Sequence, residues 1–378
     1  MSRAFDLAAL PADHEQAVLA GRVMLSDGPV PVLVRAGRVV DVSASAPTTA
    51  DLFDLPDPAA VTGRDLCAVG ELTVGGGPFE LLAPIDLQCV KACGVTFAVS
   101  AIERVIEERA RGDAGKAAAI RGELEDKIGG GIRSVVPGSA EAMKLKAALI
   151  DAGMWSQYLE VAIGPDAEVF TKAPVLSSVG WGAQVGIRSD SSWNNPEPEI
   201  VLIANAAGTV VGATLGNDVN LRDFEGRSAL LLGKAKDNNA ACAIGPFVRL
   251  FDAGFTIDDV RAAELDLTID GPEGYRLEGH SSMREISRDP LDLIRQTLSE
   301  HQYPDGFALF LGTLFAPLQD RDDPGRGFTH KVGDKVRIHT PRLGTLENTV
   351  TTSRDAAPWT FGIRQLYQTL AARQSVSG

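Results

Sequence analysis

The sequence lacks a long apolar run: nothing in its 378 residues approaches the ~20 consecutive apolar residues of a membrane-spanning helix. Its first residues carry no basic stretch leading into an apolar core, so no export leader is expected, and the chain reads as soluble and cytoplasmic. Positive charge is in deficit. Thirty-six lysines and arginines face 50 aspartates and glutamates, a formal net charge of −14, which argues against nucleic acid as a partner. The four cysteines, Cys67, Cys89, Cys93 and Cys242, form no CxxC pair and read as structural thiols of a reducing compartment. Five histidines (His14, His280, His301, His330 and His339) are scattered without HxH or HExxH spacing. His330 could reach an active site, although a lone loop histidine is ordinarily solvated. Gly75-Gly76-Gly77 is followed by no Lys-Ser/Thr, and the glycines flanking Trp181 fit no dinucleotide fingerprint, so neither reads as a phosphate cradle.

What is present is ordinary globular material, 44% hydrophobic and 23% charged, in a chain long enough for two domains. Residues 1–83 read as a small β-rich N-terminal domain, with a hairpin turning at Ala36-Gly37 and a loose stretch from Ser43 to about Pro78. Residues 84–378 read as an α+β body. Its strand CGVTFAVS leads into a helix from about Ser100 to Arg111, whose Ile102, Val105, Ile106 and Arg109 pack while Glu103 and Glu107 face out. Helical runs at Lys116–Ile128 and Ala140–Ala152 form an insertion, a helix is expected over Pro290–Leu298, and the remainder is mostly strand.

The chemistry gathers between Asn194 and Asp218. Ile200–Ala204 and Val210–Leu215 read as the two strands of a hairpin. A turn centred on Gly208-Thr209 would set Asp218 opposite Glu199. Glu197 and Glu199, two apart, share a face with Cα atoms roughly 6.5–7 Å apart. Three carboxylates then converge, and a divalent cation would relieve their repulsion; an all-oxygen set suits magnesium, with manganese or calcium possible, rather than zinc. On spacing alone, the same carboxylates could equally fray into solvent at a hairpin end. Lys234 and Lys236 follow in a loop, where a lysine is ordinarily a solvated charge.

The order of these pieces resembles the fumarylacetoacetate hydrolase superfamily. Gly94 to Glu103 follows GxxxxxSxxE, Glu197-Pro198-Glu199 is an ExE pair, and Asn217 to Asp223 reads NDVNLRD. The lysine loop runs to Ile244-Gly245-Pro246, and Leu311-Gly312-Thr313 and GTLENTV from Gly344 complete the set. The resemblance covers residues 84–378 and implies a mixed β-roll with a helical insertion, a homo-oligomer (dimer or tetramer), and a metal held by Glu197, Glu199 and Asp218. Hydrolases of the superfamily carry a histidine three residues before a glutamate. Here Glu103 is kept but Ser100 replaces the histidine, which disfavours water activation.

GVTFAVSAIERVIEERARGD, WNNPEPE and GNDVNLRDFEGRSALLL are similar to a dehydratase branch acting on 2-keto-3-deoxy-D-xylonate or arabinonate in pentose breakdown. That resemblance implies Mg2+ as cofactor, Glu103 as the base at C3, and Lys236 as donor to the departing C4 hydroxyl. The product would be 2,5-dioxopentanoate. Ser100, Lys172, Thr313 and Thr345 are implied as substrate contacts. The alternatives are a superfamily hydrolase or decarboxylase cleaving a β-diketo acid, and a non-enzymatic cation-binding scaffold.

Overall fold

The computed structural model describes residues 2–117, 119–121, 135–315, 317–322 and 324–377. Among them, 13 strands share one sheet, whose centre runs Leu19–Leu25, Cys242–Leu250, Val210–Asp218, Pro198–Ala204, Phe307–Phe310, Cys89–Gly94, Glu168–Ala173. Neighbours in this run are antiparallel except Phe307–Phe310 with Cys89–Gly94, which are parallel. Pro198–Ala204 is buried on both faces, which is why it reads as a continuous apolar run. Strand alternation sends Ile200 and Leu202 to one core cluster and Val201 and Ile203 to another. Gln184–Ile187, Gly344–Thr352, Lys335–Thr340, Glu264–Asp270 and Arg276–Ser282 form a second, five-stranded sheet. Mixed sheets with helices are the expected α+β class.

The N-terminal hairpin turns at Ala36 and Gly37, both at positive φ. Leu19–Leu25 pairs with Cys242–Leu250 through Ala20–Val248 and Leu19–Arg249, so hydrogen-bonded sheet crosses residue 83. The stretch from Ser43, expected to be loose, holds a helix at Thr49–Asp54 and a strand at Arg64–Ala68. That helix is announced by a reciprocal Thr48–Asp51 cap, a four-residue signal that periodicity over so short a run does not carry.

The helix expected near Ser100 is Ala98–Ala110, so the preceding strand stops at Gly94, short of the AVS assigned to it. It packs with Ala140–Asp151 and Gln157–Ile163 over a cluster that includes Ile102, Val105, Leu159 and Trp193. Of the expected run Lys116–Ile128, residues 118 and 122–128 lie outside the described residues. Pro290–Leu298 is a helix with the expected bounds. Among the described residues no helix is long and apolar enough to cross a membrane.

The central hairpin departs from the expected register by two residues. Asn205 closes the loop: its Oδ1 accepts the N–H groups of Ala207 and Thr209, and its own N–H donates to Thr209 O at 3.0 Å. The loop therefore takes 205–209, pairing resumes at Ala204–Val210, and a bulge lies between Ile203 and Ala204. Glu199 consequently faces Gly216, and Asp218 lies beside Glu197, donating its N–H to Glu197 O at 3.0 Å. Gly216 is required by packing: a Cβ there would sit 2.2 Å from Phe310 Cε1 and 2.6 Å from Val201 Cγ2. Gly216→Ala is expected to cost about 1–3 kcal/mol, the usual range for overpacking, seen as a lower midpoint in thermal or urea denaturation. An unchanged midpoint would show that the Phe310 strand yields freely.

Candidate functional site

The hairpin end brings Glu197, Glu199 and Asp218 together, all buried, with one oxygen from each within 4.8 Å of the others. Burial, then the charges of Asp218 and Glu197, pushes the Glu199 carboxyl well above its ordinary range. Burial also opposes ionisation of Asp218, but the ammonium groups of Lys172 and Lys236 outweigh it and hold Asp218 below its ordinary value. Lys172 Nζ lies 2.6 Å from Asp218 Oδ1, and Lys236 Nζ lies 3.0 Å from Asp218 Oδ2 while also meeting Glu197 Oε2. Lys236 is itself buried. That burial disfavours its charge, yet Asp218, Glu197 and Glu225 raise its affinity for the proton.

The helix Ala98–Ala110 supplies a polar stripe at helical spacing: Ser100, Glu103, Arg104 and Glu107. The stripe faces the cavity, so Glu103 and Glu107 are buried, whereas Arg109, expected to pack, is exposed. Arg104 bridges Glu107 (2.7 Å), Glu197 (2.5 Å) and Glu225. Arg222 donates to Asn195 Oδ1 at 2.9 Å and lies 3.4 Å from Glu107. Glu103 is gripped by both ends of the Arg121 fork, at 3.0 and 2.8 Å. Across the cavity Glu168 opens its strand. Burial, then the charge of Glu225, pushes its carboxyl up to about 7.

Two of the residues named from sequence sit elsewhere than expected. Thr345 pairs with His339 Nδ1 at 2.9 Å and lines a different cleft, on the five-stranded sheet beside Asp266 and Arg337. Its strand belongs to that sheet, so its side chain does not reach the carboxylates. Lys172 is fully buried behind Asp218, donating to the backbone oxygens of Val219 and Lys236, and serves as a counter-charge rather than a cavity wall. Ser100 and Thr313 do line the cavity, Ser100 Oγ donating to Thr313 O at 2.9 Å. Thr313 Oγ donates to Glu199 at 3.3 Å. The lysine pair lies on a short helix, Leu232–Lys236, with Lys234 exposed and Lys236 turned inward.

Sequence reasoning missed Glu168, Arg104, Arg222 and Glu225. Glu168, Phe170 and Lys172 alternate along one strand, so the face already assigned to Lys172 pointed to Glu168 as well. Among the described residues the connected cluster sets seven carboxylates (Glu103, Glu107, Glu168, Glu197, Glu199, Asp218, Glu225) against five cations (Arg104, Arg121, Lys172, Arg222, Lys236). Within that cluster burial and neighbouring carboxylates hold Glu199 well above its ordinary value and push Glu168 up to about 7, a penalty that a divalent cation would relieve. The hard, all-oxygen donor set fits a magnesium-class ion.

Residues 160–351 match the family model described as Fumarylacetoacetate (FAA) hydrolase C-terminal. A probable 2-keto-3-deoxyxylonate dehydratase of Haloferax volcanii is 31% identical over 202 residues, 53% of this chain and 66% of that protein. A 2-dehydro-3-deoxy-D-arabinonate dehydratase of Saccharolobus solfataricus is 31% identical over 182 residues, 47% of this chain and 57% of that one. The matched stretch thus spans less than two thirds of either curated relative. Among solved structures, 2-keto-3-deoxy-D-arabinonate dehydratase in its apo form superposes with a TM-score of 0.62 at 21% identity, covering 88% of this chain and 99% of that one. The same-named enzyme complexed with magnesium and 2,5-dioxopentanoate gives 0.61 at 21% identity, with the same coverage of each chain. At that identity the likeness shows the fold.

Proposed function

The chain belongs to the fumarylacetoacetate hydrolase family, and on that premise we propose that it dehydrates a 2-keto-3-deoxy-pentonate, the xylonate or arabinonate, to 2,5-dioxopentanoate in pentose breakdown. The observation that carries the reading is one cavity lined by Glu168, a carboxyl pushed up to about 7, and by Glu197 and Asp218 of the buried Glu197–Glu199–Asp218 triad. Glu197, Glu199 and Asp218 would hold a magnesium ion, which when bound would polarise the 2-oxo group and acidify the C3 hydrogens.

Glu168 takes a proton from C3. A carboxylate lifted toward neutrality by burial is a stronger base than a solvated one, and its raised affinity suits a carbon acid. Lys236, whose ammonium stays charged among carboxylates, offers an N–H to the departing C4 hydroxyl, which leaves as water. A proton then moves from C5 to C3 to give the 4,5-unsaturated enol, and C4 gains a proton as the enol hydroxyl gives one up, which leaves the terminal aldehyde. One water is lost and nothing is oxidised overall. Glu103, held by both arms of Arg121, is already committed to an ion pair and serves to fix the helix face that Arg104 shares.

The lining residues described include no histidine, and Ser100 spends its hydroxyl proton on Thr313 O, which disfavours a hydrolytic dyad there. Purified protein with magnesium and each 2-keto-3-deoxy-pentonate is expected to yield a product lighter by one water. Release of pyruvate would identify a carbon–carbon cleaving enzyme instead. Unchanged substrate with both epimers would overturn the activity and leave the family.

A further inference from the structure

We propose that Arg104 is the positioning residue of the metal site: its guanidinium holds one oxygen of Glu197 and leaves the other to a divalent cation. This rests on the metal reading above. Each of the three carboxylates has an oxygen held by a group off the triad. Arg104 Nη2 meets Glu197 Oε1 at 2.5 Å, Lys172 Nζ meets Asp218 Oδ1 at 2.6 Å, and Gly312 N–H donates to Glu199 Oε2 at 2.7 Å. The other oxygens of Glu197 and Asp218 are shared by a single cation, Lys236 Nζ. Lys236 and Arg104 therefore touch opposite oxygens of the same carboxylate.

The two cations differ in freedom. Arg104 is anchored through Nη1 to Glu107 Oε2, at 2.7 Å, and to Glu225, on a helix whose Val105 and Ile106 are fully buried. Glu107 in turn lies 3.4 Å from Arg222 Nε, the nitrogen that also donates to Asn195 Oδ1 at 2.9 Å. A planar fork held at one end can present its other end at a set angle, which an ammonium on a flexible stem cannot. Lys236 stands on the pair of oxygens an incoming ion would take, and competes with it.

Orientation and repulsion predict opposite signs. A cation that merely repels the ion would, once removed, let it bind more tightly. One that orients a ligand would, once removed, weaken binding about 10–100-fold, the usual cost of losing such a partner. The full chain is titrated calorimetrically with magnesium chloride as wild type, Arg104→Met, Arg104→Lys and Lys236→Met, with circular dichroism and melts in chelator to establish folding. Arg104→Met is expected to lose affinity by about 10–100-fold. Arg104→Lys, which keeps the charge and loses the fork, is expected to show a smaller loss, and Lys236→Met to bind at least as tightly as wild type.

Affinity equal to or above wild type in Arg104→Met overturns the assignment. If that variant does not fold, wild-type affinity in Arg104→Lys overturns it. Weaker binding in Lys236→Met matching that in Arg104→Met would mean the site needs only its positive charge, and would overturn it too. A wild-type protein that takes no magnesium overturns the metal reading itself, and the assignment with it.

Discussion

Glu168→Gln is expected to lower turnover about 10²–10⁴-fold, the range for losing a positioned acid–base group, with substrate affinity little changed. The substitution keeps shape and removes the base. Exchange of the C3 hydrogens into deuterated water should fall in parallel, because proton removal precedes loss of the hydroxyl. For the wild type, kcat/KM should climb with pH through about 7 as the Glu168 carboxyl gives up its proton. Stability should move the other way. A carboxyl whose folded pKa lies above its unfolded value favours the fold most at low pH, and that contribution is lost as pH rises through the folded value, so metal-free Glu168→Gln should gain stability over wild type at pH 8 but not at pH 4. Lost turnover in a protein that melts higher at pH 8 cannot be ascribed to misfolding. Glu103→Gln is the comparison. Because Arg121 already occupies both its oxygens, it should cost less than Glu168→Gln. The reverse order, with exchange surviving in Glu168→Gln, would return the base to Glu103, the residue that the family resemblance implies.

Glu103 and Glu168 differ in partners that local sequence does not carry. The apolar run Ile200–Ala204 made the hairpin legible, and the triad followed from alternation once two strands were set side by side. The register did not follow, because a side-chain bond from Asn205 lengthened the loop and moved Asp218 from Glu199 to Glu197. The triad survived the error because a two-residue slip preserves the face. Helical spacing gives the apolar side of Ala98–Ala110, but charge alone sends the opposite side to solvent. Glu103 and Glu107 are buried there because Arg104, Arg121 and Arg222 neutralise them, and pairing across elements has no local signature. Thr345 failed for a related reason: its strand was legible, but which sheet it joined was not.

Lys236→Met is expected to lose turnover by about 10²–10³-fold, while Lys234→Met stays within about twofold of wild type, since only a group at the reacting atoms carries an effect of that size. The two lysines are two apart on one short helix, and composition cannot tell them apart. The fold does. Lys234 is exposed, its ammonium 5.5 Å from the centre of the Phe224 ring, where removing it costs a surface contact. Lys236 is buried with Asp218, Glu197 and Glu225 around it, so its charge is held in place and poorly screened. Methionine fills the space of the stem and removes the donor, which makes the loss of a proton-bearing group, rather than of volume, the variable. Rapid-quench measurement of a single turnover locates the effect. Slowed loss of the C4 hydroxyl with C3 exchange retained is the result expected for a donor to the leaving group. If exchange falls with turnover, Lys236 acts at the first proton transfer. Equal losses in the two variants would mean that the helix contributes only general positive potential, and the role given to Lys236 would be withdrawn.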